Sequence, residues 1–597
     1  MTDSESIPPD KIKCFITGKL RNNTPEEQVR QVVARSLVEE YGYNKKDIEI
    51  EFSIKMGSKR KAVDIAIFYE SKEHTQANIY IICETKREDV KPYDKDEGVK
   101  QLFSYMSACL NATFGLWVGD ERLAFNSKSV NGERELVEVP DIPKHGESSV
   151  PIPTRGSLVP AVSLKGVFKR VHNYIHANQG VAKDKAFEEL QKLIFIKVFD
   201  EQYNPTLKFY VLPDDSGNDL RERLMTVFKK VQERYKYIFK GNEVLELNDS
   251  VLRYAVSELQ RFSMIDTKTD IKGEAYEEIV GPNLRGDRGE FFTPRNVCTM
   301  VVEIIFSMIE EDVLSTPGAF KILDPAAGTG GFLIAALQKI KSIFQRRGFK
   351  YDQLRELVKD VANSNFYGMD FNPFLVKVSQ MNMVMHGDGS SNIYHADSLR
   401  ELTGISDQAE DVIRPGTFDV VITNPPFGTN SAIDNPNILQ HYEITTYGTN
   451  SPRTKVPPEQ LFVERCLYFL KDGGILGIVL PDSILSNPGL TWMRKLLLSN
   501  VKIVASIDLP VETFEPSTGT KTSVLVVKKQ KQKEADYNIF MAKVEKVGHD
   551  RRGVPVFRTD PEGKVELDSQ KVPIVDDDLP YVSEAFTKWY LGNSKKG

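Results

Sequence analysis

Between Gly286 and Lys529, short apolar runs alternate with helical segments: FKILDPA, NFYGMDF, NIYHADSL, FDVVITNPP, GGILGIVLP, VKIVASIDLP and TSVLVVKK. Continuous apolar strands separated by helices predict a parallel, doubly wound sheet, because each helix crosses back over a strand buried on both faces. Open sheets of this kind bind ligands outside the carboxyl ends of their strands. Three of these strands end in an acid there: Asp324, Asp370 and Asp397.

After Asp324 the chain reads PAAGTGGF, so Ala326, Gly328, Thr329, Gly330 and Gly331 form a turn into a helix. Glycines at such a turn let backbone approach a ligand closely. The dinucleotide fingerprint requires Gly or Ala where Leu333 stands, and the phosphate-binding P-loop requires a GK[ST] that is missing here. Neither NAD nor ATP is favoured. Carboxylates do not attract phosphate, but one can take two ribose hydroxyls and another can accept from an adenine amine. S-adenosylmethionine fits that description, although acids that only cap helix starts would read the same way.

The run FDVVIT ends in Asn424, Pro425, Pro426 and Phe427. Two consecutive prolines end a strand in a rigid turn. An exocyclic base amine is a poor nucleophile, and accepting both its N–H groups at the Asn424 amide oxygen and the Pro425 carbonyl pulls the nitrogen towards tetrahedral geometry. Phe427 offers a ring for a flipped base. A merely structural turn would have no need of Asn at this position.

The order FFTP, DPAAGTGGF, NPPF resembles the gamma arrangement of amino-methyltransferases. GEFFTPRNV, DPAAGTGGFL and NPPFG together resemble the modification subunit of type I restriction-modification systems, from about Ser163 to Lys529. The resemblance implies that Glu290, Phe291, Phe292, Thr293, Pro294 and Arg295 close over the methionine end of the cofactor. It places Thr329, Gly330 and Gly331 along the cofactor loop and gives the ribose to Asp370. The family usually has Cys where Ala327 stands and often Glu where Asp370 stands. NPPF implies N6 of adenine in double-stranded DNA as the target, reached by direct displacement without a metal or a covalent nucleophile.

Upstream, Asp64 in KAVDIAIF is followed by Glu84 and Lys86 in IYIICETK. Residues two apart on a strand share a face, so the carboxylate and the ammonium point the same way. Asp64 and Glu84 can ligate Mg²⁺, and Lys86 can orient or activate water at a phosphodiester. An acid and a lysine on an exposed strand would read identically. From about Thr24 to Trp117 the chain resembles the PD-(D/E)xK nuclease fold and the N-terminal domain of type I restriction subunits, with Gln101 and Tyr105 matching a QxxxY element and Glu27 and Glu51 as accessory acids.

These readings predict a multidomain α/β protein: a small α/β nuclease-like domain (1–140), a linker (141–160), an all-helical domain (161–285), a Rossmann-like methyltransferase domain (286–530) and a partner-docking tail (531–597). With 597 residues the chain is too long for a single small module. Lys plus Arg number 78 against 84 Asp plus Glu, a net charge of −6, so any DNA contact must be a local patch. One basic run, Arg221 to Lys240, reads more simply as a solvated helix face. His172 and His176 share a helix face but lack further ligands at zinc spacing, and the five scattered cysteines read as buried thiols. No apolar run approaches the ~18 residues of a membrane span, and no leader is apparent, so a cytoplasmic protein is expected.

Only 69 residues follow Lys528, too few for two target-recognition domains, and no Walker A sequence occurs. A separate specificity subunit is therefore expected, together with a second copy of this chain and no membrane partner. The long segment between Asn430 and Pro458 is expected to order on DNA or on that subunit. The whole resembles the catalytic subunit of type IIB restriction enzymes. Two other readings stay open: a methyltransferase with an inactive, DNA-binding nuclease-like domain, and a non-enzymatic DNA-binding scaffold. A scaffold would need neither an intact NPPF nor a complete glycine loop.

Overall fold

The computed structural model describes residues 8, 10–70, 72–130, 133–148, 152–161, 163–212, 215–267, 293–386, 392–401, 407–428, 432–530, 536–568 and 573–594. The chain divides into two compact units, Met1–Asn283 with Thr559–Glu566, and Leu284–Arg558 with Leu567–Gly597. Among the described residues no helix is long and apolar enough to cross a membrane.

In the first unit, helix α1 (Pro25–Glu39) starts where the Thr24 hydroxyl accepts the Glu27 N–H at 3.2 Å and Pro25 presets the first turn. A six-stranded sheet follows in linear order: β1 (Ile48–Met56), β2 (Lys59–Phe68), β3 (Ile79–Thr85), β4 (Phe114–Val118), β5 (Arg122–Val130) and β6 (Glu133–Val139). Only β3 and β4 run parallel, because helix α2 (Val99–Ala108) carries the chain back between them. One apolar layer joins α1 to the sheet through Ala34, Leu37, Ile65, Ile81 and Cys83; another joins α2 through Ala66, Ile82, Leu102 and Met106.

The expected linker is instead packed. Asp141 and Ile142 are buried, the Tyr41 hydroxyl donates to Asp141 at 2.6 Å, and Val159 and Pro160 pair with Phe262 and Ser263. The helices α3 (Lys165–Gln179), α4 (Lys183–Tyr203), α5 (Gly217–Arg234) and α6 (Asp249–Leu259) belong to the same unit as the sheet. Buried ion pairs join the two parts: Glu258 lies 2.8 Å from Arg170 and 3.7 Å from Arg122, which also pairs with Asp141. A Pro/Gly/Ser-rich composition reports turns, and these turns are held by polar partners from both sides.

In the second unit, helix α7 (Arg295–Phe306) precedes β7 (Ile322–Asp324), α8 (Gly331–Arg346), β8 (Phe366–Asp370), α9 (Pro373–His386), β9 (Ile393–His395) and β10 (Phe418–Thr423). Then come α10 (Pro458–Phe469), β11 (Leu470–Pro481), β12 (Val501–Asp508), β13 (Thr522–Lys529), β14 (Phe540–Lys543) and α11 (Leu579–Ser594). The sheet order is β9-β8-β7-β10-β11-β13-β12-β14, so the fold is α/β and doubly wound. One strand departs from the parallel expectation: β13 runs antiparallel to both β11 and β12, since an apolar run reads the same in either direction.

Two further expectations change. The described part of 531–597 outside Thr559–Glu566 folds onto its own unit, β14 pairing with β12 while Leu579 and Phe586 lie fully buried. From Ala432 to Pro458 the chain is also packed without a partner: Ile433 bridges Val456, the Tyr442 hydroxyl donates to Leu399 O at 2.8 Å, and Arg453 stacks 3.6 Å over Trp492.

Candidate functional site

The glycine turn between β7 and α8 is held from several directions. Gly328 and Gly330 have φ of +54° and +81°, and Gly328 faces open space where a Cβ would point. The Gly328 N–H donates to Asp370 Oδ2 at 2.9 Å, Ala327 N to Met369 O at 2.8 Å, and Asn382 Nδ2 to Thr329 O at 3.0 Å. Asp324, 1 % exposed, accepts from Ala326 N at 3.1 Å. Burial pushes its carboxyl up to about 7. Asp397, at the end of the neighbouring strand, accepts from Leu399 N and pairs with Arg400 at 3.0 Å. Phe371, next to Asp370, is 57 % exposed at this edge and was not singled out from the sequence; an aromatic directly after a strand-end acid is the signal that would find it.

Of the six residues expected over the cofactor, Glu290, Phe291 and Phe292 lie outside the described residues. Thr293 and Pro294 lead into α7, and the Arg295 guanidinium donates to Gly331 O at 3.2 Å, so this arm does meet the glycine turn. An open, left-handed cradle beside acidic strand ends fits a cationic adenosine cofactor such as S-adenosylmethionine.

Strands β7 and β10 are parallel neighbours, so Asn424 emerges beside the glycine turn. Pro425 is buried and Pro426 half-buried. The Gly428 N–H that follows donates to Glu459 Oε2 at 3.4 Å, and Glu459 is itself buried, which raises its carboxyl. The Phe427 ring is not a free stacking surface: it is 3 % exposed and packs edge-on against Phe514, centroids 6.1 Å apart.

A second cluster forms in the first unit, where two ladders stop. The β1–β2 pairing joins Ile50 to Ile65 and Phe52 to Val63 but passes over Glu51 and Asp64, and the β2–β3 pairing stops at Ile65 and Cys83. The released Asp64 N–H donates to Glu84 Oε1 at 3.2 Å, and Asp64 Oδ2 accepts from Thr85 N at 2.8 Å. Burial, then the Asp64 charge, push the Glu84 carboxyl up to about 8. Lys86 Nζ lies 3.5 Å from Glu84 and 3.8 Å from Glu26; burial lowers its pKa, but these carboxylates outweigh it and hold the amine above its ordinary value. Lys86 is therefore a fixed positive charge, suited to orienting water rather than accepting its proton. Gln101 Nε2 donates to the Tyr105 hydroxyl at 2.8 Å on α2.

Arg30, missed in the sequence, reaches from α1 to Asp64 Oδ1 at 2.7 Å. Among the described residues no three acidic, imidazole or thiol groups converge as a ready-made metal cage. Mg²⁺ takes one or two carboxylates and completes its shell with water and phosphate oxygens. Asp64 and Glu84 are both buried and side by side, the Asp64 N–H donating to Glu84 Oε1, so they form a two-carboxylate oxygen donor set of the kind such an ion takes. His172 and His176 are not a metal pair, since each ring faces a backbone carbonyl, of Lys183 and Val181. All five cysteines are buried thiols outside any disulfide.

These two geometries coincide with two family matches. Residues 267–555 match the N-6 DNA methylase family. Residues 25–143 match the type I restriction enzyme R protein N terminus. Over 54% of its length the chain is 28% identical to the Escherichia coli type I restriction enzyme EcoEI methylase subunit, covering 57% of that protein. It is 25% identical to the Heyndrickxia coagulans type II restriction enzyme and methyltransferase RM.BcgI, over 48% of this chain and 38% of that one. The chain thus spans well under two thirds of either relative. Among solved structures, the type I restriction-modification methyltransferase subunit from Streptococcus thermophilus aligns with 71% of this chain and 92% of its own, at 18% identity and a TM-score of 0.49.

Proposed function

We propose that this chain is the catalytic subunit of a restriction-modification system of the gamma class, transferring a methyl group to N6 of adenine in double-stranded DNA. The observation that carries this is the side-by-side emergence of the glycine turn and Asn424-Pro425-Pro426 from neighbouring parallel strands. Asp370 and Asp397 would hold the adenosine of the cofactor, Phe371 would border its base, and Thr293, Pro294 and Arg295 would line its methionine end. S-adenosylmethionine, when bound, supplies an electrophilic methyl on a sulfonium. Asn424 Oδ1 and the Pro425 carbonyl accept the two N–H groups of the adenine amine and aim its lone pair. Glu459 steadies that turn through Gly428.

The first unit, in this reading, cuts DNA. Mg²⁺, when bound at Asp64 and Glu84, supplies the charge that polarises a phosphodiester and acidifies water. Lys86 orients that water, and Gln101 with Tyr105 borders the site. A separate specificity subunit selects the sequence, with a second copy of this chain in the assembly. The pairing of Asp64 with Arg30 favours, as a second reading, a methyltransferase whose nuclease-like part only handles DNA.

Plasmid assays on wild type, Lys86→Ala and Asn424→Ala, each co-expressed with a specificity subunit, test both halves. Strand breaks lost only in Lys86→Ala, and N6-methyladenine lost by about 100-fold only in Asn424→Ala, are expected. Methylation without breaks in wild type would leave the second reading; neither product in wild type would sink the proposal.

A further inference from the structure

We propose that Arg30 is a built-in competitor for the divalent cation at Asp64, and that Glu51 is the residue that draws it off; this rests on reading the first unit as a metal-dependent nuclease. Arg30 is 7 % exposed and its guanidinium is shared. Nη2 lies 2.7 Å from Asp64 Oδ1, while Nη1 lies 2.5 Å from Glu27 Oε2 and 3.1 Å from Glu51 Oε1. The other Asp64 oxygen already accepts from the Thr85 N–H and hydroxyl. A cation approaching Asp64 therefore meets a like charge across one carboxylate, and it binds only as Arg30 withdraws.

The frame on the far side of Arg30 is built to receive it. Glu51 has φ of +57°, the one non-glycine residue with positive φ among the described residues. Strain of this kind persists where the surroundings over-determine it, and it gathers at functional sites. Arg21 grips both Glu51 and Glu27, and Gln31 Nε2 donates to Glu27 Oε1 at 2.6 Å, so both carboxylates are fixed. Beside them opens a depression of about 430 Å³, whose charged lining is Lys11, Arg21, Glu26, Glu27, Arg30 and Glu51; Lys11 donates to Asn22, and the space gives the guanidinium room to move away from Asp64. Glu26, Glu27, Glu51, Asp64 and Glu84 share one ion-pair network with Arg21, Arg30 and Lys86, so acidic groups outnumber the basic ones paired with them. Until the divalent cation arrives, Arg30 holds the Asp64 charge and keeps the site shut.

Calorimetric titration of Mn²⁺ into the full chain tests this, with Asp64→Asn defining which heat belongs to the site. Arg30→Gln is expected to tighten binding by about tenfold and Glu51→Gln to weaken it by about threefold, the second effect vanishing in the double variant because Glu51 acts only through Arg30. Arg30→Lys, which keeps the charge but loses the fork that spans three carboxylates, is expected to fall between wild type and Arg30→Gln, and it stands in if the glutamine variant fails to fold. Wild-type binding that neither Arg30 variant tightens overturns the competitor. Weakening by Glu51→Gln that persists in the double variant makes Glu51 a ligand and overturns its assigned role. No Asp64-dependent heat in any variant removes the nuclease reading itself, and this proposal with it.

Discussion

Glu84 and Asp324 pose the same physical problem in different units: each is a carboxyl at a strand end, almost without exposure, held up to about 8 and about 7 respectively. An acid whose pKa is higher in the folded state than in the unfolded one binds more protons when folded, so its contribution to stability falls as pH rises. For Glu84 the window runs from about 4.5, the ordinary value, to about 8. Thermal melts of the metal-free chain should therefore show Glu84→Gln gaining on wild type between pH 5 and pH 8, with no difference below the window. A constant difference across that range would mean that Glu84 is not the titrating group. The pairing of Glu84 with Lys86 followed from strand alternation and was legible in the sequence. The contact of Arg30 with Asp64 was not, because it joins a helix to a strand 34 residues away and no local period links them.

The glycine turn shows what an element can reveal before it is folded. Its spacing marked a strand, a tight turn and a helix, and those parts are contiguous in the chain, so the acid and the glycines had to lie together. What the spacing could not reveal is the support from α9. A Cβ on Gly330 would sit 2.7 Å from Ser379 Oγ at a backbone φ of +81°. Gly330→Ala should thus cost more than the ~1 to 2 kcal/mol of left-handed strain alone and weaken S-adenosylmethionine binding. Gly348→Ala, at φ +82° with nothing within 4 Å of its Cβ, carries the strain without the clash and should leave cofactor affinity unchanged. Calorimetry and melting of both variants separate the two effects. The direction of β13 and the self-docking of α11 were likewise hidden: an apolar strand has no arrow in its composition, and the packing of Phe586 and Trp589 against Phe540 joins distant segments.

Across the whole chain, the first unit depends on a buried ionic junction between its sheet and its helices, in which Glu258 is 1 % exposed between Arg122 and Arg170. Removing one partner of a buried ion pair leaves charge stranded in low dielectric, so Glu258→Ala should destabilise this unit by about 3 kcal/mol or more, read as a lowered denaturation midpoint in urea. Loss of under about 1 kcal/mol would show that the sheet and helices are only loosely joined. The residue order alone determined the α/β class, the two chemical clusters and the edge of the sheet where one of them lies, because strands, tight turns and rigid proline pairs are properties of neighbouring residues. Tertiary structure alone decided where the compact units divide, which way β13 runs, that Phe427 is packed away and that Arg30 faces Asp64. Those depend on burial and charge balance between segments far apart in the chain, which a residue acquires only once its distant neighbours are in place.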